Sequence, residues 1–262
     1  VGLILPTETA TAQVKPDGSL GNQSSVVNRN GSDRTLIQGG AMRGKNLFHS
    51  FSEFNVNQGE QVYFTQPLAI ENIISRVTGK NASTIDGTLG VLGSANLFLI
   101  NPNGIVFGRN ARLDIQGSFL ATTASQLRFE DGSQFSATDP ETNPLLTIST
   151  PLGLDQWLPK SGTITNQGNL SSGRDLTLSS QNLNLEGQLI AGGNINLLAS
   201  EGLKIQDNPQ TAFIVAAQGN LLLQGNQLLA INALSHPQSG IYSGKNLVLR
   251  SDNPVVGDAH FS

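Results

Sequence analysis

A short pattern recurs through the C-terminal half of the chain and limits what it can fold into. Gly173-Arg174-Asp175-Leu176-Thr177-Leu178 is followed by Gly193-Asn194-Ile195-Asn196-Leu197. Gly219-Asn220-Leu221-Leu222-Leu223 and Gly244-Lys245-Asn246-Leu247-Val248-Leu249 come next. Each copy is a glycine, then Asn or Asp, then two aliphatics one residue apart. Leu176, Ile195, Leu221 and Leu247 stand 19, 26 and 26 residues apart. Further pairs lie between them: Leu183 with Leu185, Leu203 with Ile205, and Leu228 with Ile231. Alternation at period two marks short strands with one buried face, and a period of about 20–26 residues marks a repeat architecture. A leucine-rich horseshoe needs a helical segment in every repeat, whereas here turn residues fill the gaps. The pattern therefore predicts an all-β parallel β-helix with two or three short strands per coil.

Composition agrees. Of 262 residues 13% are charged and 37% hydrophobic, both below ordinary soluble domains, and Gly (29) and Asn (25) make up the difference. Tight corners need backbone that tolerates positive φ, which Gly and then Asn supply. Asn side chains can also stack in hydrogen-bonded ladders on successive coils, where like charges would repel. About 22 residues per coil gives a rod of roughly 10 coils and ~50 Å. With no cysteine, a zinc finger, an iron–sulfur centre and a disulfide scaffold are excluded. A net charge of −4 argues against a nucleic-acid partner. No run of about 18 apolar residues is long enough to cross a membrane as a helix.

Residues 13–262 are expected to form one domain. Val1–Leu5 followed by Ala10-x-Ala12 reads either as a signal-peptide remnant or as a tail. Residues 45–135 also alternate, as in Asn96-Leu97-Phe98-Leu99-Ile100. Residues 136–162 break the rhythm with Pro140, Pro144, Pro151 and Pro159, and are expected to leave the solenoid, with Trp157 packing the excursion back. The repeat runs to Leu249 without an amphipathic capping helix, so the chain reads as the front piece of a longer protein. Asn101-Pro102-Asn103-Gly104, after an apolar run and before Ile105-Val106-Phe107, has turn residues in the order a β-turn requires and predicts a corner between two strands.

The segment Asn96-Leu97-Phe98-Leu99-Ile100-Asn101-Pro102-Asn103-Gly104-Ile105-Val106-Phe107-Gly108 resembles the signature of the two-partner secretion domain, which opens exoproteins of the filamentous haemagglutinin type. Asn46-Leu47-Phe48-His49-Ser50-Phe51, Arg76-Val77-Thr78-Gly79, Ser83-Thr84-Ile85-Asp86-Gly87 and Gly117-Ser118-Phe119-Leu120-Ala121-Thr122-Thr123-Ala124 match in order and spacing. The upstream N-P-N-L motif of some members is absent. The resemblance implies a right-handed parallel β-helix with an N-terminal cap and extra-helical strands. It further implies recognition, after Sec export, by a cognate TpsB-type outer-membrane β-barrel transporter with periplasmic POTRA domains. The chain would cross that barrel unfolded. Asn101, Pro102, Asn103, Gly104 and Ile105 are the candidate recognition residues, weighed against a purely structural turn. A monomer needing no cofactor, metal or small-molecule substrate is expected.

Gly39-Gly40-Ala41-Met42-Arg43-Gly44-Lys45-Asn46 falls one residue short of a phosphate-binding loop and lacks a βαβ setting. His49, His236 and His260 are far apart. Asp131, Asp139 and Glu141 are close in sequence but in turn contexts. A polysaccharide-cleaving β-helix, which needs converging carboxylates, and an adhesive solenoid are the alternative functions.

Overall fold

The computed structural model describes residues 14–31, 33–140, 161–233 and 235–251. Val1–Ala12, Glu141, Trp157 and His260, together with three of the four excursion prolines, lie outside that description.

The chain winds as a parallel β-helix with three faces. The front face is built from Asn46–Phe54, Asn72–Val77, Asn96–Ile100, Phe119–Thr122, the first part of Leu176–Leu185, the first part of Ile195–Gln206, Leu221–Gly225 and Leu247–Arg250, each parallel to the next. A second face carries Ser83–Ile85, Ile105–Phe107, Thr163–Asn166, the later parts of the two long strands and Leu228–Asn232. The third runs from Arg34–Gly39 through Gln61–Thr65, Thr88–Leu92, Arg112–Asp114, Asn169–Ser172, Gln188–Ala191 and Ile214–Ala217 to Gly240–Ser243.

The recurring aliphatics are in register. Leu47, Ile73, Leu97, Phe119, Leu176, Ile195, Leu221 and Leu247 occupy one column, and all but Leu247 are at most 2% exposed. Leu183 with Leu185 and Leu203 with Ile205 point inward on the second face as expected. The partner of Ile231 is Leu229, stacked on Leu203; Leu228 aligns with Gly202, one step out of phase. The front face has eight strands, fewer than the coils estimated from length alone. Among the described residues the difference lies in those spent on the cap and on a hairpin, Gln126–Arg128 with Gln134–Ser136, which leaves the coils earlier than the expected excursion over 136–162.

The front face breaks simple alternation for a physical reason. Leu47-Phe48, Ile73-Ile74 and Leu97–Ile100 are continuous apolar runs, which suit a strand buried on both sides. The outer side is covered by an antiparallel hairpin, Gln126–Arg128 with Gln134–Ser136, outside the coils. Phe48, Ile74 and Ile100 pack there against Leu127, Phe129, Phe135 and Ala137, with Leu20 and Ala41 from the N-terminus. Where no hairpin covers the sheet, the strands return to Leu176-Thr177-Leu178 and Ile195-Asn196-Leu197.

Antiparallel pieces close the N-terminal end. Val14–Pro16 and Ala41–Arg43 both pair with Asn46–Phe54, and Ser25–Asn30 pairs with Arg34–Gly39. They cover edges that would otherwise offer unpaired backbone.

Two side-chain devices bind successive coils. Along one corner a polar ladder runs the length of the rod. Asn72 Nδ2 donates to Asn46 Oδ1 (3.0 Å) and Asn96 Nδ2 to Asn72 Oδ1 (2.9 Å). Ser118 N–H donates to Asn96 Oδ1, Asp175 N–H to Ser118 Oγ, and Asn194 N–H to Asp175 Oδ1. Asn220 then donates to Asn194 Oδ1, and Asn246 to Asn220 Oδ1. On the third face, Tyr63 lies along the rod, with its hydroxyl donating to Asp114 Oδ2 at 2.9 Å. It passes over Gly90, where a Cβ would sit 2.3 Å from Tyr63 Cε1. Burial, reinforced by the Asp114 carboxylate, raises the Tyr63 pKa.

Candidate functional site

Asn101–Ile105 forms the corner between the front strand Asn96–Ile100 and the second-face strand Ile105–Phe107. Gly104 N–H donates to Asn101 O (3.1 Å), which closes the predicted β-turn. Asn101 is fully buried, and its amide is saturated. Nδ2 donates to Asn81 O and Ser83 Oγ, both at 3.0 Å, while Oδ1 accepts Asn103 N–H at 3.0 Å. Asn103 Nδ2 reaches back to Gly79 O (2.8 Å). Gly104 adopts φ +117°, with Thr163 O 3.0 Å from where a Cβ would be. Ile105 is fully buried, between Ser83 and Ile164 in register. Asn103 is exposed and Pro102 half-buried.

The corner gathers three of the four other matching segments. Residues of Arg76-Val77-Thr78-Gly79 and Ser83–Gly87 lie on one side of it. On the other, Asn101 N–H donates to Thr122 O (3.0 Å), and Thr123 Oγ1 donates to Ser161 O (2.6 Å). Segments spread from residue 76 to residue 124 thus surround one turn.

Arg76-Val77-Thr78-Gly79 has a physical role at each position. Val77 is core. Thr78 Oγ1 donates to Asp17 Oδ2 (2.6 Å). At Gly79 a Cβ would lie 1.9 Å from Ser52 O, so no side chain fits. Arg76 is 1% exposed. Its Nε donates to Ser50 Oγ (2.8 Å), Nη2 to Ser19 Oγ (2.7 Å) and Nη1 to the Ser136 carbonyl. Its guanidinium carbon sits 4.2 Å over the Phe135 ring. Asp17 accepts from Ser50 Oγ (2.7 Å) and from Ser19 N–H and Oγ–H (both 2.8 Å). Burial lowers the Arg76 pKa to about 10, opposed by Asp17. Burial alone would raise the Asp17 pKa, but hydrogen bonds from Ser50, Thr78 and Ser19 hold it below the ordinary carboxylate value. Sequence reasoning missed this network. The available signal was a charged residue inside the apolar strand Asn72–Val77.

His49 is fully buried in the rod interior, 5.2 Å from the Phe64 ring and 6.1 Å from that of Phe51. Ser25 Oγ accepts Ser50 N–H (3.3 Å) and shares a hydrogen bond with His49 Nδ1 at 3.0 Å. His49 Nε2 has no hydrogen-bond partner. Burial drives its pKa to about 3, so the ring is neutral.

The near-match to a phosphate loop folds as a turn into the strand pair Ala41–Arg43 and Asn46–Phe54, with no helix behind it. Asp131 accepts from Ser133 at the hairpin tip, and Asp139 N–H donates to Ser136 Oγ. His236 Nδ1 accepts Gln238 N–H (3.1 Å) in a separate loop. Among the described residues no group of three or more His, Asp or Glu side chains is placed to hold a metal ion. A groove of about 460 Å³ is lined by Lys45, Gln66, Glu71, Asn96 and Arg174 among others. Its one carboxylate, Glu71, pairs with Lys45 Nζ at 2.6 Å, whereas glycoside hydrolysis uses two.

A sequence model described as the TPS secretion domain matches residues 12–258. Two heme/hemopexin-binding proteins of Haemophilus influenzae are similar over shorter stretches. One is 36% identical over 80 residues and the other 35% over 83, covering 30% and 32% of this chain. Each match spans only 9% of the relative's own length. The crystal structure of a filamentous hemagglutinin secretion domain aligns over 90% of this chain and 99% of its own, with 16% identity and a TM-score of 0.46. With the family match running over nearly its whole length, the chain belongs to the TPS secretion domain family.

Proposed function

We propose that this domain is the address by which a larger exoprotein is recognised by its cognate outer-membrane transporter, through that partner's periplasmic POTRA domains, and that it nucleates folding of the β-helix that follows. The observation that carries this reading is the corner at Asn101–Ile105, around which three of the four other matching segments of a secretion-domain chain converge. Export begins with passage through the periplasm, and the domain acts as a monomer without a catalytic role. Asn103 and Pro102 are the parts of the corner a partner can reach; Asn101, Gly104 and Ile105 hold its shape. In-register stacking supports nucleation, because each coil rests on nearest-neighbour contacts with the one before it and folding can propagate from one end. The parallel, non-local pairing also folds slowly, which favours a threadable chain before transit.

A fusion of residues 13–262 to a reporter tests the reading. Release is expected only in cells that make the cognate transporter. Release without it, or glycan cleavage by the isolated domain, would overturn the reading.

A further inference from the structure

Arg76 is the largest fully buried side chain in the described structure, and it is charged. A buried guanidinium is tolerated only when its donors are satisfied. Here the partners come from three separate parts of the chain: Ser19 in the N-terminal cap, Ser50 in the first front strand, and Ser136 in the excursion hairpin. Phe135 of the same hairpin supplies a ring face. Asp17 is linked to Arg76 by Ser19 and Ser50, which hydrogen-bond to both, and its charge favours the guanidinium. Without the hairpin, Arg76 would lose its Ser136 acceptor and its ring, and Phe48, Ile74 and Ile100 would lose their cover.

We infer that Arg76 is a latch that makes the N-terminal cap and the excursion hairpin close as one cooperative unit, so that the end of the rod is sealed only once the chain as far as Ser136 is in place. A planar guanidinium holds its donors in a fixed fork, spread over three nitrogens, and stacks on a ring face, whereas lysine gathers its donors on a single nitrogen and cannot span the same acceptors while covering Phe135. Perturbing the hairpin must then loosen the cap, and the reverse must hold by linkage.

Amide hydrogen exchange on the full chain tests this. Phe135→Leu is made in the hairpin, where the ring also meets Phe48, and Asp17→Asn in the cap. Phe135→Leu is expected to speed exchange at the cap amide of Ser19 at least fivefold, and Asp17→Asn to speed exchange at the hairpin amides of Leu127 and Phe129 by a similar factor. Arg76→Lys is expected to abolish this cross-talk while leaving a folded rod. Cap exchange untouched by Phe135→Leu would overturn the inference. So would cross-talk that persists in Arg76→Lys, because the contact of Leu20 with the hairpin would then be the route. If Arg76→Lys does not fold, the two single variants still decide, since cross-talk in only one direction contradicts a shared closing step.

Discussion

The guanidinium of Arg76 lies 4.2 Å over the ring of Phe135, fifty-nine residues further along the chain. The contact joins a coil to a hairpin that is not part of any coil, and Phe135 belongs equally to the apolar layer over Phe48 and Ile74.

Phe135→Ala removes a fully buried aromatic and should cost about 3–5 kcal/mol. Chemical unfolding measures the loss. Binding of a hydrophobic dye should rise in the folded state as the outer side of the front face is uncovered. An unchanged midpoint would mean that the hairpin is not bound as described.

The turn separates shape from recognition. Asn101→Ala leaves the buried Ser83 Oγ without its donor, while Asn81 O, at an exposed residue, can turn to water; the change should cost about 1–3 kcal/mol. Asn103→Ala gives up the contact to Gly79 O at an exposed position and should cost about 1 kcal/mol. If the transporter reads Asn103, secretion of that variant falls by far more than its unfolding midpoint does. Equal, small losses in both measurements would leave the turn purely structural.

Gly90→Ala should destabilise the rod by about 1–3 kcal/mol, since the methyl group displaces the Tyr63 ring and breaks its bond to Asp114. Adding Tyr63→Ala should remove the ring's share of the Gly90→Ala cost, leaving only the approach to the Asp114 carbonyl, 2.9 Å from where the Cβ would sit. A double-mutant cycle by urea unfolding reads this out, and additive losses would contradict it.

His49 makes stability depend on pH. It is neutral in the folded chain down to about pH 3, whereas in the unfolded chain it takes up a proton below about pH 6.5. The unfolded state binds more protons between those values, so the stability contributed by His49 is complete above about 6.5 and falls by up to about 1.4 kcal/mol per pH unit as the pH drops. Asp17, whose pKa is lowered, adds its own loss only below the ordinary carboxylate range. His49→Gln should flatten the slope between pH 6 and 4, as read from urea midpoints; an unaltered slope would assign it to another group.

What the sequence showed and what it hid have the same origin. Leu176, Ile195, Leu221 and Leu247 were legible because each coil there repeats one pattern with solvent outside. The turn at Asn101–Gly104 was legible because its geometry is local. Phe98 and Ile100 were read as part of an alternating strand although their side of the sheet is also covered, by residues 126–137 that return from later in the chain. The Arg76 network was hidden for the same reason: its partners run from residue 17 to residue 136, and no local pattern links them.

The corner ladder has a direction. At every step from Asn46 to Asn246 the later residue donates and the earlier one accepts. A coil already laid down therefore presents an oxygen to its successor, which answers with a side-chain amide at Asn72 and Asn96, with backbone N–H alone at Ser118, Asp175 and Asn194, and with both at Asn220 and Asn246. A slip of one residue would still offer a backbone N–H, but it would take the asparagine amide off that oxygen and turn inward neighbours such as Leu221 to solvent. The asparagine amides thus favour one alignment of each new turn on the last.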